Sequence, residues 1–149
     1  TILLFLLITS CGFKIVDQTK LNNFTIQNII VTGEKKINYK LKNKLLSKSN
    51  KKDNRSIIIE LTTSKVKSVN EKNIKNEITK YDITINANIV LKEINKKKDY
   101  NFLITKKGSF IAEKQNSNTR NNEKNLISIL TKDLANEILA EIRLKLNDI

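Results

Sequence analysis

The chain of 149 residues contains no histidine, proline, tryptophan or methionine, and it has one cysteine and three glycines. Without histidine, imidazole general bases, Ser/His/Asp triads and histidine metal sites are excluded. A single cysteine supplies neither an intrachain disulfide nor a thiolate zinc cluster. Gly12, Gly33 and Gly108 lie too far apart in the chain to build either common phosphate-cradling loop. The lack of proline removes helix breakers and any rigid linker, which argues against a second domain. The apolar run from Ile2 to Ile8 is far shorter than the roughly 20 residues that a membrane-spanning helix needs, and nothing later approaches that length. No carboxylate pair stands out. These absences predict a binding or assembly protein, not an enzyme, with no metal and no cofactor.

What is present begins at the N-terminus. Thr1 to Ser10 (TILLFLLITS) is apolar and uncharged, as in the hydrophobic region of an export signal, and it leads into the lone cysteine, Cys11. The stretch Leu7-Ile8-Thr9-Ser10-Cys11-Gly12 resembles a bacterial lipobox, in which an aliphatic residue and two small residues precede a cysteine that is lipidated and becomes the mature N-terminus. The residue types suit that chemistry. A thiolate can take a diacylglyceryl group as a thioether, and Ile8, Thr9, Ser10 and Gly12 form the signal peptidase box around it. The competing reading is an apolar first strand with an incidental buried cysteine. The polar, loop-like segment that follows favours the lipobox. No basic residue precedes the apolar run, so an N-terminally clipped precursor is expected: residues 1–10 a truncated signal peptide, 11–23 a tether, and 24–149 a single domain. A domain of that size buries roughly 70 % of its unfolded-chain surface.

The formal net charge of +13 invites a nucleic-acid reading. The positive charge is almost all lysine, with arginine only at Arg55, Arg120 and Arg143, whereas base and phosphate readers favour arginine forks. Lysine, asparagine and isoleucine are jointly enriched, as an AT-rich genome would produce at tolerant surface positions. No nucleic-acid partner is expected, although some of the charge can serve anionic groups such as lipid phosphates.

The pattern along the chain gives six elements. Phe24 to Thr32 (FTIQNIIVT) reads as a strand ended by Gly33. Ile37, Leu41, Leu45 and Leu46 have the spacing of an amphipathic helix, with Asn38 a candidate N-cap. Lys48 to Asn54 reads as a charged loop. Arg55 to Val69 reads as a long strand, NEKN (Asn70 to Asn73) as a turn, and Tyr81 to Leu91 (YDITINANIVL) as a strand alternating a buried face with a wet one. NKKKD (Asn95 to Asp99) turns into a further strand through Tyr100, Phe102 and Ile104 that KKG closes. After a polar stretch from Gln115 to Asn122, a helix runs from about Glu123 to Leu146 with a wide apolar face. A helix between the first two strands makes them parallel, and the rest pair antiparallel. The expectation is an α+β two-layer sandwich, β-α-β-β-β-α, with two helices on one face of a four-stranded mixed sheet.

Candidate binding residues are few. Lys65, Lys67, Lys106 and Lys107 lie near strand ends, where a basic cluster could hold phosphates, or are scattered surface lysines. Asp133, Glu137 and Glu141 line one edge of the last helix, as a cation or basic-partner site or as a solvated rim. Tyr81, Tyr100 and Phe102 read as packing in preference to ligand stacking.

With the lipobox, CGF opening the mature chain, the strand closed by Gly33, the lysine-rich helix, the YDITINANIVL strand and a final LTKDLANEILAEIRLKL (Leu130 to Leu146), the chain resembles the LPS-assembly lipoprotein LptE family. The match covers residues 11 to 146 and rests on order and spacing, with the closing helix its most specific piece. The resemblance implies an outer-membrane lipoprotein on the periplasmic face, anchored through lipid on Cys11. It also implies an LptD-type β-barrel that the protein plugs and helps assemble, and lipopolysaccharide passed to the outer leaflet. Lipopolysaccharide contact by basic residues near sheet loops maps loosely onto Lys65, Lys67, Lys106 and Lys107. Family members carry an arginine and an aromatic residue shortly before the final helix; KQNSNTRN offers Arg120 without the aromatic. The alternatives are a stand-alone periplasmic lipid- or anion-binding lipoprotein and a cytosolic nucleic-acid binder.

Overall fold

The computed structural model describes residues 24–49 and 55–147. The lipobox residues Ile8, Thr9, Ser10, Cys11 and Gly12, the tether, and part of the loop expected from Lys48 to Asn54 lie outside the described residues. In chain order the elements are β1 (Thr25–Gly33), α1 (Lys35–Leu46), β2 (Ser56–Lys72), β3 (Ile78–Glu93), β4 (Lys98–Ile111) and α2 (Asn116–Asn147). The sheet runs β1-β2-β3-β4, with β1 parallel to β2 and the two later pairs antiparallel. The expected α+β architecture is the observed one.

Alternation explains why two layers suffice. On β3 every second residue, Ile83, Ile85, Ala87, Ile89 and Leu91, is fully buried, and Ile57, Ile59 and Leu61 of β2 continue the same face. Ile37, Leu41 and Leu45 of α1 and Leu134, Ile138 and Ile142 of α2 close over it at helical spacing. Burying each such side chain contributes about 1.5–3 kcal/mol, so the shared apolar face is the main force holding helices to sheet.

Four boundaries differ from the sequence reading, each for a local reason. Asn38 is not an N-cap. The helix starts at Lys35 behind Glu34, which makes no side-chain cap, and Asn38 is buried inside it. There its Nδ2 donates to the Thr32 carbonyl at 3.0 Å, and its Oδ1 accepts from the Thr63 hydroxyl at 2.7 Å, tying α1 to β1 and β2. The β2–β3 turn falls at Asn73 to Glu77, not at NEKN. Asn73 Oδ1 accepts from the N–H groups of Lys75 and Glu77 at 2.9 and 3.0 Å, and Asn76 takes a left-handed φ of 62°, as asparagine does in tight turns.

β4 continues past KKG to Ile111, because Gly108 pairs with Ile83 and Phe110 with Tyr81. A Cβ at position 108 would come within 2.8 Å of Leu126 Cδ1, so this glycine lets α2 lie close on the strand. Finally, α2 begins at Asn116, well before Glu123, and Arg120 is therefore a helical residue. The Thr119 hydroxyl accepts from the Glu113 N–H at 2.8 Å and donates to the Glu113 carbonyl at 3.1 Å, while Asn122 donates to the Ile111 carbonyl at 3.3 Å. Polar clasps replace the missing apolar stripe in those first turns.

Candidate functional site

The four lysines singled out from the sequence lie inside β2 and β4 and not near strand ends, because both strands run on past them, and they sit on two faces of the sheet. On β2 the apolar row Ile57, Ile59, Leu61 gives way to Thr63, Lys65 and Lys67 on the helix side. Lys65 and Lys106 flank Ile85 in one cross-strand row, which sets their Cα atoms about 10 Å apart. Lys67 lies two residues further along β2, in the row of Ile83 and Gly108. Lys107 falls in the row of Thr84 and Val66, on the opposite face.

Each of the four meets a carboxylate. Lys65 Nζ is 4.0 Å from Glu34, Lys67 Nζ is 2.6 Å from Glu123, Lys106 pairs with Glu137, and Lys107 Nζ is 2.9 Å from Asp82. Lys67 also lies over the rings of Tyr81 and Phe110, 4.4 and 5.1 Å from their centroids, and those rings stack at 5.4 Å. Two of these acids, Glu123 and Glu137, come from α2, so the row of lysines also fastens the helix to the sheet. Of the acidic column, Glu137 is thereby engaged from its position between Asp133 and Glu141. Tyr81, Tyr100 and Phe102 pack half-buried against the core.

The open face of the sheet is largely polar, with Val66 and Leu103 exposed on it. Ser68, Asp82 and Ser109 share one cross-strand row, Ser64, Asn86 and Thr105 another, and Thr62, Asn88 and Leu103 a third. Thr105 donates to Asn86 at 2.8 Å. Asp82 lies on this face although it is nearly as buried as the core. Its Oδ1 accepts from Ser109 and from Asn70, each at 2.6 Å, and Lys107 approaches Oδ2. The Ser109 hydroxyl first, and then Lys107 and Asn70, hold its carboxyl down to about 2 from the ordinary 3.8, against the opposing pull of burial. At the other end of the face, Lys92 donates to Glu60 at 2.5 Å, and that bond together with the Glu60 charge raises the lysine pKa.

A second basic group lies between the helices, where sequence reasoning did not look. Lys40 and Lys44 of α1 and Ser128, Thr131, Lys132 and Ala135 of α2 line a groove of about 240 Å³. Lys40 Nζ donates to the Ser128 hydroxyl at 3.2 Å. The available signal was α1 itself, which carries five lysines and no acid. Which residues of α2 face them is a matter of helix packing.

Among the described residues no group of acids, cysteines or histidines is arranged to hold a metal ion, and no helix is long and apolar enough to cross a membrane. No known family model and no curated protein matches the chain in sequence. Solved structures do match in shape. Rare lipoprotein B from Shewanella oneidensis superposes with a TM-score of 0.58 at 12% identity, over 80% of this chain and 98% of its own. Lipoprotein B from Nitrosomonas europaea gives 0.56 at 13% identity, over 84% and 88% of the two chains. A minor lipoprotein from Acinetobacter baumannii gives 0.52 at 14% identity, over 79% and 93%. At such identities the likeness is one of fold, and the β-α-β-β-β-α sandwich of this chain is the fold of those lipoproteins.

Proposed function

We propose that this chain is a non-enzymatic outer-membrane lipoprotein, anchored on the periplasmic face through Cys11, that plugs and helps assemble an LptD-type barrel and assists lipopolysaccharide insertion. The observation that carries the reading is a conjunction: a lipobox-like segment precedes a domain with the fold of solved lipoproteins. The form suits a plug. The sandwich presents a face rich in asparagine, serine and threonine that a hydrated barrel lumen can solvate, with Ile30, Val66 and Leu103 exposed among them, and the apolar rows of the other face are spent internally. Lys65, Lys67 and Lys106, with Lys107 on the other face, remain the lipopolysaccharide contacts in this reading. The carboxylate partners of Lys65, Lys67 and Lys106 would then be exchanged for lipid phosphates, since partly exposed pairs of this kind are each worth only about 0.2–1 kcal/mol.

The test is mass spectrometry of the N-terminal peptide together with native pull-down from detergent-solubilised membranes, comparing wild type with Cys11→Ala. The expected result is an acylated Cys11 and a co-purifying β-barrel that the variant loses. Acylation without a barrel would favour the stand-alone periplasmic anion- or lipid-binding lipoprotein, for which the basic groove between the helices speaks. An unmodified Cys11 in soluble protein would sink both.

A further inference from the structure

The groove between α1 and α2 gathers positive charge that no carboxylate in its lining answers. Among the described residues, Lys65, Lys67, Lys92, Lys96, Lys106 and Lys107 each lie within reach of a carboxylate. The five lysines of α1 and Lys132 do not, and neither do lysines elsewhere such as Lys75, Lys97 and Lys114; what sets Lys40, Lys44 and Lys132 apart is that all three line one groove.

The arrangement opposes helix stability. Lys36, Lys40 and Lys44 follow one another at i, i+4 and i+8, where like charges repel. Lys35 and Lys36 add positive charge beside the positive end of the helix dipole. An anion seated in the groove relieves the repulsion at Lys40 and Lys44. The floor, Thr131 and Ala135, is buried, and the Thr131 hydroxyl is committed to the Ile127 carbonyl at 2.6 Å. That leaves Lys40, Lys44, Lys132 and the Ser128 hydroxyl as donors, and no carboxylate in the lining opposes them.

We propose that this groove binds the phosphate of an anionic lipid headgroup, docking the helical layer on a bilayer surface. The choice of a headgroup as the source of the phosphate rests on the lipid anchor proposed above. Phe24 lies 13 positions after Cys11, so even a fully extended connection holds the domain within about 45 Å of the anchored lipid. Along the outer side of α1, Tyr39 is 70% exposed and Leu46 41%. An aromatic and an aliphatic side chain spaced two turns apart among lysines suit the boundary between headgroups and acyl chains.

The test uses the lipidated full chain in a non-ionic detergent, followed by two-dimensional amide NMR. It is titrated separately with dihexanoyl phosphatidylglycerol, dihexanoyl phosphatidylcholine and inorganic phosphate. Phosphatidylglycerol is expected to shift the amides of Lys40, Lys44, Ser128 and Lys132. The triple variant Lys40→Gln, Lys44→Gln, Lys132→Gln is expected to weaken that binding by about tenfold or more, since a lysine beside an anionic surface counts for about fivefold. The control Lys75→Gln, Lys97→Gln, Lys114→Gln makes the same change in net charge on exposed residues elsewhere, and it is expected to leave the affinity within about twofold. Equal binding of phosphatidylcholine, equal binding of inorganic phosphate, or equal weakening by both triples would each overturn the proposal. Barrel co-purification reads the plug function separately, so a failure of either idea is told apart from a failure of the other.

Discussion

At the scale of single residues, Asp82 shows how a charge is kept near the core. It stands on the alternation that marks a wet face, yet Asn70, Ser109 and Lys107 converge on it from both neighbouring strands. Its folded pKa of about 2 lies below the ordinary 3.8, so ionised Asp82 contributes stability that is fully present above the ordinary value. That contribution is lost as the pH falls from 3.8 towards 2. Asp82→Asn is therefore expected to be less stable than wild type at pH 7, with the difference between the two narrowing below about pH 4. Urea unfolding of both proteins across that range measures it, and a gap that widens on acidification would refute the account.

At the scale of elements, two glycines govern how closely neighbours approach, and they differ in what blocks a side chain. Gly33 has φ of 99°, and a Cβ there would meet the Thr63 carbonyl oxygen at 1.9 Å. The obstacle is backbone at the point where β1 hands over to α1, and neither strand can withdraw without breaking the parallel pairing. Gly33→Ala is expected to cost more than about 2 kcal/mol in strain and clash. At Gly108 the near atom is a methyl group at the end of the Leu126 side chain, which can turn aside. Gly108→Ala is expected to cost less than about 1 kcal/mol. Chemical denaturation of the two variants separates backbone obstruction from side-chain obstruction, and the reverse order would show that α2 cannot adjust on β4.

At the scale of the whole molecule, the balance is between scattered ion pairs and a net charge of +13. Apart from those of the buried Asp82 and Glu93, the pairs described lie at or near the surface, where each adds little and salt weakens it. Self-repulsion of the excess lysines acts over the entire fold and is screened as well. With 28 basic against 15 acidic residues the repulsion is expected to be the larger of the two, so the melting temperature is expected to rise as sodium chloride increases from about 0.02 to 0.3 M, a range over which the Debye length falls from roughly 20 to 6 Å. A melting temperature that falls over this range would mean that the ion pairs fastening α2 to the sheet dominate instead.

Period and alternation were enough to determine the elements and their order, because burying one face of each requires apolar residues at spacings of two or about 3.6, and Tyr81 to Leu91 and Leu130 to Leu146 display both plainly. The first turns of α2 escaped that reading because side-chain clasps from Thr119 and Asn122 hold them, with no apolar stripe to betray them. The real β2–β3 turn escaped it because either of two asparagine-containing stretches could have formed it, and strand register selects between them. Of the basic sites, composition revealed that lysines abound and that α1 has no acid. Pairing Lys65, Lys67, Lys106 and Lys107 with acids, and leaving Lys40, Lys44 and Lys132 around one groove, were decided by tertiary structure alone. Electrostatic partnership depends on distances of a few ångströms between residues far apart in the chain, and no local pattern encodes those.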